Sequence, residues 1–144
     1  MTMHTELAEG RWQRFPLVLQ LAHVGSEVSR GCKAKNMGND ARLRSAVLRA
    51  LELFDLTIAD PKNRNRLREL CRAREVACDF LVGENRYHST AESLDRYFLQ
   101  FATASKRALE LEEGEFTARF VKVVKRRSVQ DSLIPAKTFL KKLW

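Results

Sequence analysis

The chain has 144 residues, of which 44% are hydrophobic and 31% are charged, and its formal net charge is +8. This balance is typical of one soluble globular domain and excludes a disordered chain, while only six Gly and three Pro argue against a loop-rich β architecture. Because no apolar run approaches the roughly 20 residues of a membrane span and the three cysteines form no CxxC pair, we expect a cytoplasmic protein with no membrane partner.

The first two predicted helices form a hairpin. Helix one begins near Pro16, whose fixed φ suits a first helical turn, and it ends in the loop at residues 35–38. Asn39 or Asp40 caps helix two, in which apolar residues recur every three or four positions until Asp60. The pattern therefore predicts two amphipathic helices joined by a short turn.

Two further helices complete the predicted body. Asp60 caps helix three with Pro61 at its first helical position, and the helix ends at Gly83. Ser89 and Glu92 fit a capping box for helix four, which continues to residues 113–114. Four amphipathic helices with short connections predict an all-α, antiparallel up-down four-helix bundle over residues 1–115.

Residues 116–144 form a predicted basic, amphipathic C-terminal segment. They carry eight Lys or Arg and one acid, whereas residues 1–115 carry 18 bases and 17 acids. A localised positive field of this kind attracts polyanions. Apolar residues such as Phe120, Phe139 and Trp144 are interleaved with the bases, so we expect the segment to dock on a partner or on the bundle. The alternative is a solvated basic tail with no partner.

A second basic cluster lies in predicted helix three. Arg64, Arg68 and Arg72 are spaced four residues apart, which places them on one helix face. Helix two is expected to place Arg49, Arg44 and Arg42 at comparable heights, with Arg49 level with Arg72, so that a basic stripe crosses the hairpin of helices two and three. The alternative is that nearby acids neutralise the stripe. The predicted nucleic-acid-binding residues are Arg64, Arg68, Arg72, Arg49, Arg119, Lys122, Lys125, Arg126, Arg127, Lys141 and Lys142.

No motif in the sequence predicts catalysis, a cofactor or a metal site. The three histidines do not share a motif, and no glycine-rich phosphate loop is present. Cys71 and Cys78 are expected in the core as small apolar residues. Arg74 is expected to form a buried ion pair with Glu52, Asp55 or Glu27.

Several segments resemble a family of small bacterial bundle proteins. The segments are Arg49 to Ile58, Asp60-Pro61-Lys62-Asn63, Leu67-Arg68-Glu69-Leu70 and Arg74-Glu75. Over roughly residues 12–107 the chain is similar to the accessory variability determinant (Avd) proteins of diversity-generating retroelements and to the bundle proteins of ribosomal RNA intervening sequences. The resemblance implies a non-enzymatic, homo-pentameric bundle that binds RNA and a reverse transcriptase.

Two functions follow as hypotheses. The first is a nucleic-acid-binding accessory protein, in particular an RNA-binding one, that contacts phosphates through the basic residues named above. The second is a protein-interaction scaffold in which the apolar residues of the C-terminal segment dock a protein partner. A small enzyme with a site in the bundle core is a third class, and the sequence offers little to line such a site.

Overall fold

The computed structural model describes residues 5–109, and every regular element in this range is helical. The four α-helices are α1 (Leu17–Asn36), α2 (Asp40–Ala59), α3 (Leu67–Val82) and α4 (Ala91–Leu109). A π-helical turn, Leu7–Arg11, and a 3₁₀ turn, Trp12–Arg14, precede α1, and a 3₁₀ helix, Pro61–Arg66, precedes α3. The all-α prediction is confirmed for these residues, whereas the predicted basic C-terminal segment lies outside them.

The caps of α2 and of the following 3₁₀ helix are those predicted. The Asn39 side chain accepts a hydrogen bond from the Arg42 backbone N–H at 3.0 Å, and Asp60 accepts one from the Lys62 backbone N–H at 3.1 Å. The prediction of one continuous third helix is wrong. Arg66 has φ −119° and ψ 6°, which separates the 3₁₀ helix from α3.

The capping box of α4 uses different residues from those predicted. Thr90 Oγ1 accepts from the Ser93 backbone N–H at 3.1 Å, and Ser93 Oγ accepts from the Thr90 backbone N–H at 2.9 Å. The same reciprocal geometry is therefore built one residue later than the Ser89 and Glu92 pair.

Helix α1 is the central element of the fold. Its residues from Val18 to Ser29 are buried except for the half-buried His23, because α1 packs against both α2 and α4. Gly25 marks a close approach to α4, since a Cβ atom at this position would lie 2.4 Å from the Cβ of Phe98. A side chain there would force the two helices apart.

All four α-helices contribute to one hydrophobic core. Its largest fully buried side chains are Trp12, Phe54, Phe98 and Phe101. The predictions for the cysteines of α3 are wrong, because Cys71 is exposed and Cys78 is half-buried. The predicted partner of Arg74 is confirmed as Asp55, at 3.1 Å, but this ion pair lies at the surface.

Buried polar residues join the N-terminal segment to the start of α1 and the end of α2. We call Trp12, Gln20, Thr57, Asp60 and Asn63 the polar network. Trp12 Nε1 donates to Thr57 Oγ1 at 3.1 Å, and Gln20 Nε2 donates to both Trp12 O at 3.0 Å and Asp60 Oδ2 at 2.8 Å. Asn63 Nδ2 donates to Gln20 Oε1 at 2.8 Å and to Thr57 O at 2.9 Å. The network therefore satisfies its own buried polar groups.

Asp60 is the charged member of the polar network. Lys62 Nζ donates to its Oδ2 at 2.6 Å. Burial by itself raises the pKa of the Asp60 carboxyl, but hydrogen bonds from Lys62 and Gln20 outweigh burial and hold the pKa below its ordinary value of 3.8. Asp60 is thus a carboxylate at neutral pH with its acceptors occupied.

A membrane-spanning helix is not found among residues 5–109, since none of the helices there combines the necessary length with the necessary apolar character.

Candidate nucleic-acid interface

A pocket of about 330 Å³ lies between the last turns of α1 and the first turns of α2. The connection between these helices is three residues long, so it holds the two sets of turns side by side. Four cationic side chains line the pocket: Arg30, Lys33, Arg42 and Arg49. We call this the basic pocket. Convergent guanidinium and ammonium groups of this kind suit phosphate oxygens.

One buried carboxylate lies against two of these cations. Glu27 has a side chain that is 9% exposed, and its Oε1 accepts from Arg30 at 2.6 Å. Its Oε2 lies 3.9 Å from Arg49 and has no hydrogen-bond partner within the part of the chain that the structure describes. Glu27 therefore orients the two arginines and neutralises only part of their charge.

The other two cations of the basic pocket have no acidic partner among residues 5–109. Lys33 and Arg42 are both exposed, and no ion pair of either is formed there. Arg49 also donates to Ser45 Oγ at 2.9 Å, which holds its guanidinium at the pocket wall. The pocket thus presents four positive charges against one negative charge.

Apart from Ser45, the remaining wall of the basic pocket is apolar. Ala34 and Ala46 contribute buried methyl groups, and Met37 contributes a side chain that is 61% exposed. A concave site with a few converging polar groups and an apolar wall is the common form of a small-ligand site.

The structure separates the predicted basic stripe into two sets. Arg49 lies in the basic pocket and pairs with Glu27 of α1. The prediction that it lies level with Arg72 stays a prediction. Arg68 and Arg72 are on α3, whereas Arg64 lies in the preceding 3₁₀ helix. The four-residue spacing of Arg64 and Arg68 therefore does not describe one continuous α-helix face.

The prediction that nearby acids neutralise the three arginines of the stripe is confirmed for one of them. Arg72 lies 4.7 Å from the centre of the Tyr87 ring and 4.0 Å from Glu75. Arg64 and Arg68 are exposed and form no ion pair within the described range. Two arginines of the predicted stripe thus have no acidic partner in the part of the chain that the structure describes.

Tyr87 is held by its neighbours on α3. Its hydroxyl donates to Glu75 Oε1 at 2.6 Å, and this bond raises the pKa of the phenol. Its backbone N–H donates to Asp79 Oδ2 at 3.0 Å, which lowers the pKa of that carboxyl. The ring therefore has a structural role beside Arg72.

The other predicted binding residues belong to the C-terminal segment. Arg119, Lys122, Lys125, Arg126, Arg127, Lys141 and Lys142 lie outside residues 5–109. Their assignment stays a prediction.

Sequence reasoning missed Arg30 and Lys33 as members of a site. They lie one turn apart near the end of α1, which is too sparse to stand out as a charge cluster. The available signal was the short connection to α2, which brings the end of one helix beside the start of the next.

Residues 5–109 hold 18 bases and 13 acids, so the described part is itself positive, because four acids fall at positions 110–115.

Other reactive side chains in the described part form no comparable site. Cys71 and Cys78 line an open surface pocket with Arg74, Glu75 and Tyr87 among its neighbours, and burial raises the pKa of the Cys78 thiol. Within residues 5–109, no group of three or more His, Cys, Asp or Glu side chains is placed to hold a metal ion.

Comparisons with models of known protein families, with curated proteins and with solved structures find no match to this chain. The resemblance to Avd proteins therefore stays a prediction from the sequence.

Proposed function

We propose that the protein is a non-enzymatic, RNA-binding accessory protein whose basic pocket contacts phosphates of the RNA. The observation that carries this proposal is the convergence of Arg30, Lys33, Arg42 and Arg49 on one concave surface, with Glu27 as their only close carboxylate among the described residues. Clustered Lys and Arg bind a phosphate backbone by releasing its condensed counterions.

Two further basic regions add positive charge in the proposal. Arg64 and Arg68 lie exposed at the start of α3 and its preceding 3₁₀ helix and form a second contact region. Residues 116–144 add seven units of net positive charge. A long polyanion spans such separated regions, whereas a small anion occupies one of them.

The proposed arrangement of the helices is an antiparallel up-down four-helix bundle. Two contacts between α1 and α2 support it, since Gln20 pairs with Asp60 and the later residue Glu27 pairs with the earlier residue Arg49. Positions that advance along α1 thus meet positions that recede along α2. The resemblance to Avd proteins adds a homo-oligomer and a reverse transcriptase partner to the proposal, and the cysteine pattern adds a cytoplasmic setting.

Salt-dependent RNA binding tests the proposal. We expect Lys33→Ala with Arg42→Ala to weaken binding of a single-stranded RNA about tenfold at fixed salt and to reduce the slope of log affinity against log salt by about 0.7 for each phosphate that the two side chains neutralise. Fluorescence anisotropy of labelled RNA at several salt concentrations measures both quantities.

The matched control is Arg64→Ala with Arg68→Ala, which removes the same charge from exposed positions on the other basic region. We expect a loss of about threefold from this pair, because its charges do not converge on a pocket. Equal losses from the two pairs would contradict the assignment of the pocket. If wild-type protein binds no RNA at any salt concentration, a protein-interaction scaffold becomes the better proposal.

A further inference from the structure

We infer that the basic pocket accepts a whole nucleotide of the RNA, with the base against Met37 and the phosphate against the cations. This inference rests on the proposed function and names the ligand unit that the pocket takes. A surface that only follows the backbone needs exposed cations and no concave apolar wall. The basic pocket has both cations and a concave apolar wall. This combination favours the binding of a whole nucleotide over contact with the backbone alone.

The size of the pocket fits a ligand larger than a phosphate group. Ligand pockets in proteins measure roughly 300–1,000 Å³, and the basic pocket, at about 330 Å³, falls at the lower end of that range. This volume is about ten times the roughly 30 Å³ that one water molecule takes up in the liquid. A phosphate with its attached sugar and base makes better use of this space than a phosphate alone.

The apolar wall supplies the contact for the base. Met37 is one of the most exposed large apolar side chains among the described residues, at 61%, and it stands at the turn between α1 and α2. A thioether is polarisable and makes favourable contacts with aromatic rings. Ala34 and Ala46, which are buried, continue the wall with methyl groups.

The cations are arranged for the phosphate of the same nucleotide. Arg49 is fixed by Ser45 and by Glu27, whereas Lys33 and Arg42 form no ion pair within residues 5–109. A phosphate between these side chains receives charge-assisted hydrogen bonds from groups that differ in rigidity. Because Met37 lies on the same rim, one ligand with an anionic end and an aromatic end satisfies both parts of the wall.

Two small probes separate base recognition from phosphate binding. Adenosine monophosphate and ribose 5-phosphate share the sugar and the phosphate, and only the former has a base. We expect the full chain to bind adenosine monophosphate about fivefold more tightly than ribose 5-phosphate, because only the former contacts the thioether. Isothermal titration calorimetry measures both affinities, and the Met37 methyl signal in NMR spectra should shift with adenosine monophosphate alone.

Met37→Ala should remove the fivefold preference and leave the affinity for ribose 5-phosphate unchanged. The matched control is Leu48→Ala, since Leu48 is a 54% exposed residue of α2 that does not line the pocket. It should keep the preference. Both positions are exposed, so neither change removes a core side chain.

Two results overturn the inference. The first is equal binding of the two probes to the wild-type chain, and the second is a preference that survives Met37→Ala. RNA binding that still depends on Lys33 and Arg42 in either case leaves the proposed function intact and reduces the pocket to a backbone contact. RNA binding that does not depend on Lys33 and Arg42 contradicts the proposed function instead, while the two probes continue to report on the pocket.

Discussion

The polar network lies at one end of the α1–α2 pair. There, Gln20, Asp60 and Asn63 form hydrogen bonds with one another and with nearby backbone groups. At the other end of the same pair, four cations line the basic pocket, and two of them, Arg30 and Arg49, contact one buried carboxylate. Both ends gather polar side chains on the same two helices. The first end has its donors and acceptors matched within the chain, whereas the second has an excess of donors.

The difference shows which polar clusters to consider as binding sites. A satisfied network fixes one packing arrangement and has nothing to offer a ligand, since its groups are buried and already bonded. A cluster with unmatched positive charge at a concave surface gains by binding an anion. The predictions below test whether the first end acts on stability and the second on binding.

The largest effect is expected at the polar network. Asp60→Ala removes the cap of the 3₁₀ helix and the acceptor of Gln20 and Lys62, so we expect it to lower the free energy of unfolding by about 3 kcal/mol. RNA affinity should stay unchanged under conditions where the variant is folded. Urea unfolding followed by circular dichroism measures the first quantity, and anisotropy measures the second.

A surface acid provides the control for Asp60. Asp55→Ala breaks the exposed ion pair with Arg74 and should cost less than about 1 kcal/mol. Similar losses from the two changes would mean that the polar network does not stabilise the fold more than a surface pair does.

A smaller effect is expected at the buried carboxylate of the basic pocket. Glu27→Gln keeps an oxygen for Arg30 but removes the negative charge, so we expect the free energy of unfolding to fall by about 1 kcal/mol. The affinity for RNA should rise about twofold, because the pocket then carries one more unit of net positive charge. Parallel unfolding and anisotropy measurements check the two directions.

A tenfold loss of RNA affinity in the Glu27→Gln variant would point to a different role for Glu27. In that case the carboxylate would act chiefly by orienting Arg30 and Arg49, and its charge would be needed to hold them in place.

The smallest effect is the pH dependence contributed by Asp60. Because its pKa in the folded protein is below its ordinary value of 3.8, the carboxylate contributes stability that is present at neutral pH. This contribution is lost as the pH falls through the folded pKa. We expect the stability gap between wild type and Asp60→Asn to be largest near pH 7 and to narrow below about pH 4. Urea midpoints measured across this range check the sign, and a gap that widens in acid would contradict it.

The sequence alone determined the helical class and most helix boundaries, since these depend on local spacing and on caps. Asn39 and Asp60 show this directly, because the capping signal lies within a few residues of each. The predictions failed where two local structures are both compatible with the sequence. Arg66 interrupts helix three, and Thr90 and Ser93 replace the expected capping pair.

The candidate site was accessible to sequence reasoning only in part. Arg49 was identified, but it was assigned to a surface shared with α3, whereas Arg30 and Lys33 were not identified. The density of charge along the chain predicted a binding site at the run of arginines near α3. In the structure, Arg72 and Arg74 of this run have acidic partners. Only the tertiary structure decided which cations converge, because convergence depends on which faces of α1 and α2 meet. A pattern within one helix fixes which residues share a face, and the packing of a second helix decides what that face encloses.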